Sequence, residues 1–254
     1  MLYAITKQVI SQKHLLMNIA LIGYGRMGHE IESIALKRGH TIKLIVDQDN
    51  GNDLNSINLE KVDVAIEFSI PNAAFKNIMK CLAEKVPVVS GTTGWLDKYN
   101  EAVNECNKNK TAFLHSTNFS IGVNLLFHLN SELAKQMSRY SEYDVSIEEI
   151  HHVKKLDAPS GTAITLAEGI INQQPRYKKW CFEKDKSGDC VPIHSVREGL
   201  VPGTHIITWD SEIDTLSLRH EAKNRKGLAL GAVVAAEYIR SKKGVFTMND
   251  VMGF

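Results

Sequence analysis

The chain has no excess of either charge, with thirty Lys and Arg against twenty-nine Asp and Glu. No global field therefore draws it to nucleic acid or to an anionic membrane surface, and any preference for anions has to be local. It also lacks an uninterrupted apolar run of about 18 residues, which excludes a membrane-spanning helix. Cysteine is scarce. Cys81, Cys106, Cys181 and Cys190 are widely spaced and form no CxxC or CxxH pair, so free thiols in a reducing compartment are expected rather than a zinc site or a redox dithiol. Met1 to Leu16 have neither the cationic start and apolar core of a secretory signal nor a small-residue cleavage site. They read as an N-terminal extension of a cytoplasmic protein. There is no internal repeat or low-complexity segment, and 254 residues leave room for one large domain or two modest ones.

What is present begins with a short apolar strand, Asn18 to Ile22, that runs into Gly23, Tyr24, Gly25, Arg26, Met27 and Gly28 and then into a helical pattern through Ile31, Ile34, Ala35 and Leu36. In strand-GxGxxG-helix, the first glycine permits the tight turn, the second lets backbone approach a pyrophosphate, and the third lets the helix pack on the strand. A second strand, Thr41 to Val46, ends at Asp47, nineteen positions after Gly28, where a carboxylate can accept hydrogen bonds from the adenosine ribose. The plainer reading of Asp47 is a turn-former in the polar run around it. Gln48, Asp49 and Asn50 follow, with no cation to neutralise a ribose phosphate. The residues thus favour NADH over NADPH, although Arg26 can approach a phosphate.

Three more strands (Val62 to Phe68, Val86 to Ser90, Ala112 to Leu114) alternate with helical patterns and end in small polar residues, which predicts a parallel sheet. In such sheets ligands lie outside the carboxyl ends of the strands. That places Gly91, Thr92 and Thr93 together with Ser116, Thr117, Asn118 and Phe119 near the nicotinamide half of a dinucleotide. After Gly122 the rhythm changes. A long helix, Val123 to Met137, precedes β-rich stretches, and Trp180 to Pro192 reads as a mobile loop. Gly227 to Arg240 has no polar face and must be a buried helix. The expected fold class is therefore α/β: a Rossmann-like parallel-sheet dinucleotide domain plus an α+β, mostly antiparallel-sheet domain for substrate binding and oligomerisation. Residues 17–119, completed by 227–254, would form the first domain and residues 120–226 the second, with hinges near Ser120 and Lys226.

The densest polar chemistry lies in Glu149 to Ala163, EIHHVKKLDAPSGTA. The stretch reads as strand, loop and helix start, with Ser160 as N-cap. Free N–H groups at Gly161, the Thr162 hydroxyl and the helix dipole suit a carboxylate or phosphate. If the strand continued past His151, alternation would put His151 and Lys155 on one side and His152 on the other. A solvated basic hairpin is the plainer reading. Adjacent histidines on a strand diverge and no third ligand is close by in sequence, so no metal is expected.

At these residues the chain resembles the 4-hydroxy-tetrahydrodipicolinate reductases (dihydrodipicolinate reductases) of bacterial lysine and diaminopimelate synthesis. The pattern E-x-H-H-x-x-K-x-D-A-P-S-G-T stands in full from Glu149 to Thr162, with GRMG, GTTG, NFSxG and GVFTMNDV segments besides, from Met17 to the end. The resemblance implies His151 as proton donor or acceptor, Lys155 as proton donor, and His152, Gly161 and Thr162 as contacts to a cyclic dicarboxylate substrate. It implies NADH or NADPH held by Gly23 to Gly28, Asp47, Gly91 to Thr93 and Ser116 to Phe119. It also implies a homotetramer assembled through the second sheet. The glycine loop is one residue shorter than in many members, and Gln48 stands where a basic residue is usual. Another nicotinamide-dependent reductase of small amino-acid-derived carboxylates would need no such signature. A dinucleotide-sensing regulator would bind without turnover through a partner surface that neither charge nor motif supplies.

Overall fold

The computed structural model describes residues 16–185 and 187–254, so the N-terminal extension lies, up to residue 15, outside the described residues. In chain order the first elements are β1 (Asn18–Ile22), α1 (Arg26–Lys37), β2 (Thr41–Val46), α2 (Ser56–Leu59), β3 (Val64–Glu67) and α3 (Pro71–Ala83). They continue with β4 (Val88–Ser90), α4 (Tyr99–Asn109), β5 (Ala112–His115), α5 (Ile121–Met137), β6 (Asp144–His151) and α6 (Gly161–Ile171). The last are β7 (Lys179–Phe182), β8 (Cys190–Arg197), β9 (Thr204–Asp210), β10 (Thr215–Glu221), α7 (Lys226–Ile239), β11 (Gly244–Phe246) and α8 (Met248–Met252). None of these helices is long and apolar enough to cross a membrane.

The described chain divides into two compact units, one of residues up to Thr117 with Ala229–Val251, the other of Asn118–Leu228 with Met252–Phe254. The expected divisions at 119/120 and 226/227 lie two residues from these breaks. The first unit holds a six-stranded sheet in the order β11-β5-β4-β3-β1-β2, every neighbouring pair parallel. Its strands are short apolar runs because both faces are covered. Ile22, Ala65, Val88 and Phe113 share a core with Ala74, Ile78 and Leu82 of α3 and Ala102 and Cys106 of α4.

The second unit holds a sheet in the order β10-β9-β6-β8-β7. It is mixed rather than mostly antiparallel: β9 pairs antiparallel with β10 and β6, whereas β6 with β8 and β7 with β8 are parallel. α6 forms the crossover from β6 to β7, which returns the chain in the same direction, and β8 enters between these two strands parallel to both. Val145 and Ile147 of β6, Ile193 of β8 and Ile207 and Trp209 of β9 pack on Leu166, Ala167 and Ile170 of α6. The expected loop over 180–192 is also corrected, because Lys179–Phe182 and Cys190–Arg197 are strands. Cys181 and Cys190 are joined in a disulfide with Cα atoms 5.9 Å apart, which overturns the expectation of four free thiols. Cys81 and Cys106 are free and buried, and burial pushes the Cys81 thiol up to about 12.

Candidate active site

At the end of β1 the three glycines divide their duties. Gly23 has φ +89°, and a Cβ there would stand 2.2 Å from the Phe68 carbonyl oxygen; a Cβ on Gly28 would meet the Gly23 oxygen at 2.5 Å. At Gly25 a Cβ would meet nothing within 4 Å. Gly25 also caps α1 without a side-chain hydrogen bond, and the first turn carries no acidic residue. First-turn N–H groups with open space before them fit a pyrophosphate. Tyr24 gives its hydroxyl to Glu32, while Arg26 and Met27 open α1, with Arg26 exposed. Asp47, exposed at the end of β2, forms a capping box with Asn50, whose Oδ1 accepts from the Asp47 N–H at 2.7 Å. It is a turn-former and a strand-end carboxylate at once.

Gly91, Thr92 and Thr93 follow β4. Gly91 is glycine because a Cβ would stand 2.2 Å from the Phe68 ring. Thr92 turns inward: its hydroxyl donates to buried Glu67 at 2.8 Å and its carbonyl accepts from Trp95 Nε1 at 2.8 Å. Glu67 also receives the Ser90 hydroxyl at 2.7 Å, so one carboxylate ties the ends of β3 and β4. Ser116 donates its N–H to Ser90 at 3.2 Å, and Thr117 is exposed. Asn118 and Phe119 belong to the second unit; the Phe119 side chain is buried, and Asn118 Nδ2 lies 3.4 Å from Thr162 Oγ1.

In the second unit a cavity of about 530 Å³ brings together Asn118, His151, His152 and Thr162 with Gly203, His205, His220, Lys223 and Arg225. Ser160 caps α6 through Ala163 N at 3.2 Å, and a Cβ on Gly161 would meet nothing within 4 Å. That helix start is open in the same way as Gly25. The strand does not continue past His151. His152 N–H donates to the Val201 carbonyl at 2.8 Å, and Lys155 N–H to that of His152 at 3.0 Å, so the chain turns. Lys155 pairs with Asp157 at 2.7 Å, which holds the Asp157 carboxyl below its usual range.

Beneath the cavity lies a buried network that the sequence reading left without a role. Glu149 accepts from Ser160 N–H at 3.1 Å on both oxygens and from Arg197 Nη2 at 3.0 Å. His151 Nδ1 is 3.3 Å from Glu149 Oε2, off the line of a well-formed hydrogen bond, and has no other partner among the described residues. His205 Nε2 is 3.3 Å from Ser160 Oγ. Burial pushes the Glu149 carboxyl upward, but the close approach of His151 Nδ1 and the hydrogen bonds from Ser160 and Arg197 together outweigh it and hold the group well below the usual carboxylate range. Donor atoms of Glu149, His151 and His205 lie within 4.8 Å of one another, with the Arg197 cation also on Glu149 at 3.0 Å. Arg197, Gly203, His205 and His220 reach the site from β8 to β10. The legible signal was Glu149 itself, a carboxylate on the inward side of a strand whose other inward residues are Val145, Ile147 and His151.

A parallel sheet with an open glycine loop, in one chain with a cation-lined cavity over a buried histidine network, defines a dinucleotide-dependent oxidoreductase acting on a small-molecule substrate. Residues 17–119 match the family model described as dihydrodipicolinate reductase, N-terminus, and residues 122–252 the one described as its C-terminus. The chain belongs to the dihydrodipicolinate reductase family. A 4-hydroxy-tetrahydrodipicolinate reductase of Christiangramia forsetii is 54% identical over 237 residues, 93% of this chain and 98% of its own. One of Thermosipho africanus is 34% identical over 238 residues, again 93% and 98%. Among solved structures, a dipicolinate-bound dihydrodipicolinate reductase from Paenisporosarcina sp. TG-14 is 27% identical with a TM-score of 0.75, over 92% of this chain and 98% of that one.

Proposed function

We propose that this chain is a 4-hydroxy-tetrahydrodipicolinate reductase, which uses NAD(P)H and a proton to convert that cyclic dicarboxylate to tetrahydrodipicolinate and water. The observation that carries the reading is the single cavity that His151, His152 and Thr162 share with further basic side chains, a dicarboxylate site with a proton-handling group in its wall. Thr162 and the open N–H groups at Gly161 bind one carboxylate, and His152 contacts the other. When bound, the reduced nicotinamide supplies the hydride. His151 holds or delivers the balancing proton, and Lys155 serves as donor once its pair with Asp157 opens. Gly23 to Gly28, Gly91 to Thr93 and Ser116 to Phe119 hold the dinucleotide. Asp47 followed by Gln48 favours NADH, since a carboxylate accepts from a ribose hydroxyl and repels a phosphate in its place. The outward row of the second sheet, with Ser146, Glu148, Ile206 and Thr208 around a hollow of about 430 Å³, is the surface we assign to homotetramer assembly.

The test is oxidation of NADH and of NADPH, each coupled to a separate synthase that condenses pyruvate with aspartate semialdehyde. Oxidation that depends on the synthase and is faster with NADH is expected, and His151→Ala or Lys155→Ala should cut it about 100-fold or more with the fold intact. Dinucleotide binding without oxidation by the wild type would overturn the reading.

A further inference from the structure

We infer that Glu149, held by Arg197, is a positioning residue that fixes which nitrogen of His151 faces the cavity and how far that nitrogen stands from the anion-binding start of α6. This rests on the reductase reading of the cavity and extends it to residues outside the wall. Glu149 and His151 are alternate residues of β6 on its buried side, and Glu149 is completely buried. A carboxylate in that position is costly unless its oxygens are filled. Here they accept from the backbone N–H of Ser160, immediately before Gly161 and Thr162, and from Arg197, while the Nδ1 edge of His151 stands 3.3 Å from Oε2. Arg197 supplies the charge balance at 3.0 Å and reaches on to the Asp157 carbonyl at 2.6 Å, so the loop between His151 and Ser160 is tied at both ends.

The chemistry follows from the donor count. A buried carboxylate only accepts, so the proton of a neutral His151 ring stands on Nδ1 and the Nε2 lone pair is left free. Nε2 lies beside Gly203 on the cavity wall, where a Cβ would approach it to 3.0 Å. Glycine at 203 is the space into which the imidazole fits. With Gln at 149, one acceptor oxygen must serve Ser160 and Arg197, and an amide NH₂, itself a donor, faces His151. The ring proton then moves to Nε2, and the imidazolium that would deliver a proton into the cavity loses the carboxylate that stabilises it.

Three measurements on the intact enzyme test this. In wild type with ¹⁵N-labelled histidine, the His151 signals, assigned with a His151→Gln variant, should show a proton on Nδ1; a ring protonated on Nε2 alone overturns the proposal without any variant having to fold. Glu149→Gln should lower kcat about tenfold or more while KM for NADH stays within about twofold. Glu149→Asp, which keeps the charge, should recover part of the lost kcat. Unchanged kcat in E149Q, or equal loss in E149Q and E149D, assigns Glu149 to packing alone. The ring-proton measurement needs no turnover, so a wild type that fails to reduce the substrate would sink the reductase reading and leave the Glu149 assignment to be decided separately.

Discussion

His205 shows how burial sets the chemistry of a single residue. Only 4% exposed, its ring is pushed down to about 4, first by loss of hydration and then by the neighbouring His151. An ordinary histidine titrates near about 6.5, so the unfolded chain binds this proton more tightly than the folded one. The contribution to stability is therefore present above about pH 6.5 and is lost as pH falls through about 4. His115 and His220 are lowered in the same direction by burial, so the measure is a difference between proteins. In urea unfolding, wild type should lose up to about 1.4 kcal/mol per pH unit for this group across that window, and His205→Gln should be measurably flatter. Parallel pH profiles would show that His205 is protonated in the folded state. The sequence did not point to His205, nor to Arg197 or Gly203. Spacing relates residues along one strand, whereas these three reach Glu149 and His151 across the sheet from β8, β9 and the loop between them.

Among the elements, α6 has its start written in the local sequence. Pro159 before it, Ser160 as cap and small residues in the first turn predicted a helix start that leaves N–H groups for an anion, and the cap is present. Ser160→Ala removes the acceptor for Ala163 N and the hydroxyl near His205, and should cost about 1 kcal/mol in denaturant titration. A change within a few tenths would mean that the N–H groups are satisfied in another way. β7 was not legible for the opposite reason. Its four residues, Lys179 to Phe182, carry no alternation long enough to stand out from polar flanks, and only pairing with β8 makes them a strand. The mixed character of the second sheet was concealed similarly, since hydrophobic pattern gives a strand its buried side and not the direction of its neighbour.

At the scale of the whole molecule, the chain leaves the first unit after Thr117 and re-enters it at Ala229. The apolar run of α7 predicted a buried helix, and its destination is visible only in the fold. Ala229, Ala232, Val233, Ala235, Ala236 and Ile239 are fully buried, and Glu237 takes both Arg38, at 2.7 Å, and His40, at 2.8 Å. β11 then covers the edge of β5. Val233 and Ile239 are worth about 1.5–3 kcal/mol each by burial alone, and a domain has only about 5–15 kcal/mol of net stability. Without α7 and β11, the apolar surface that α7 covers, the Arg38 and His40 partners of Glu237 and the edge of β5 would be exposed together, so the first unit should not survive as a cooperative structure. The second unit runs continuously from Asn118 to Leu228 and loses only residues 252–254. A chain ending at Leu228 separates the two, because buried Trp95 reports on the first unit and fully buried Trp209 on the second. With Trp180 replaced by Phe, and Trp95 or Trp209 kept in turn, urea unfolding should show a cooperative transition at Trp209 and none at Trp95. A cooperative transition at Trp95 would mean that residues up to 117 hold the dinucleotide fold unaided.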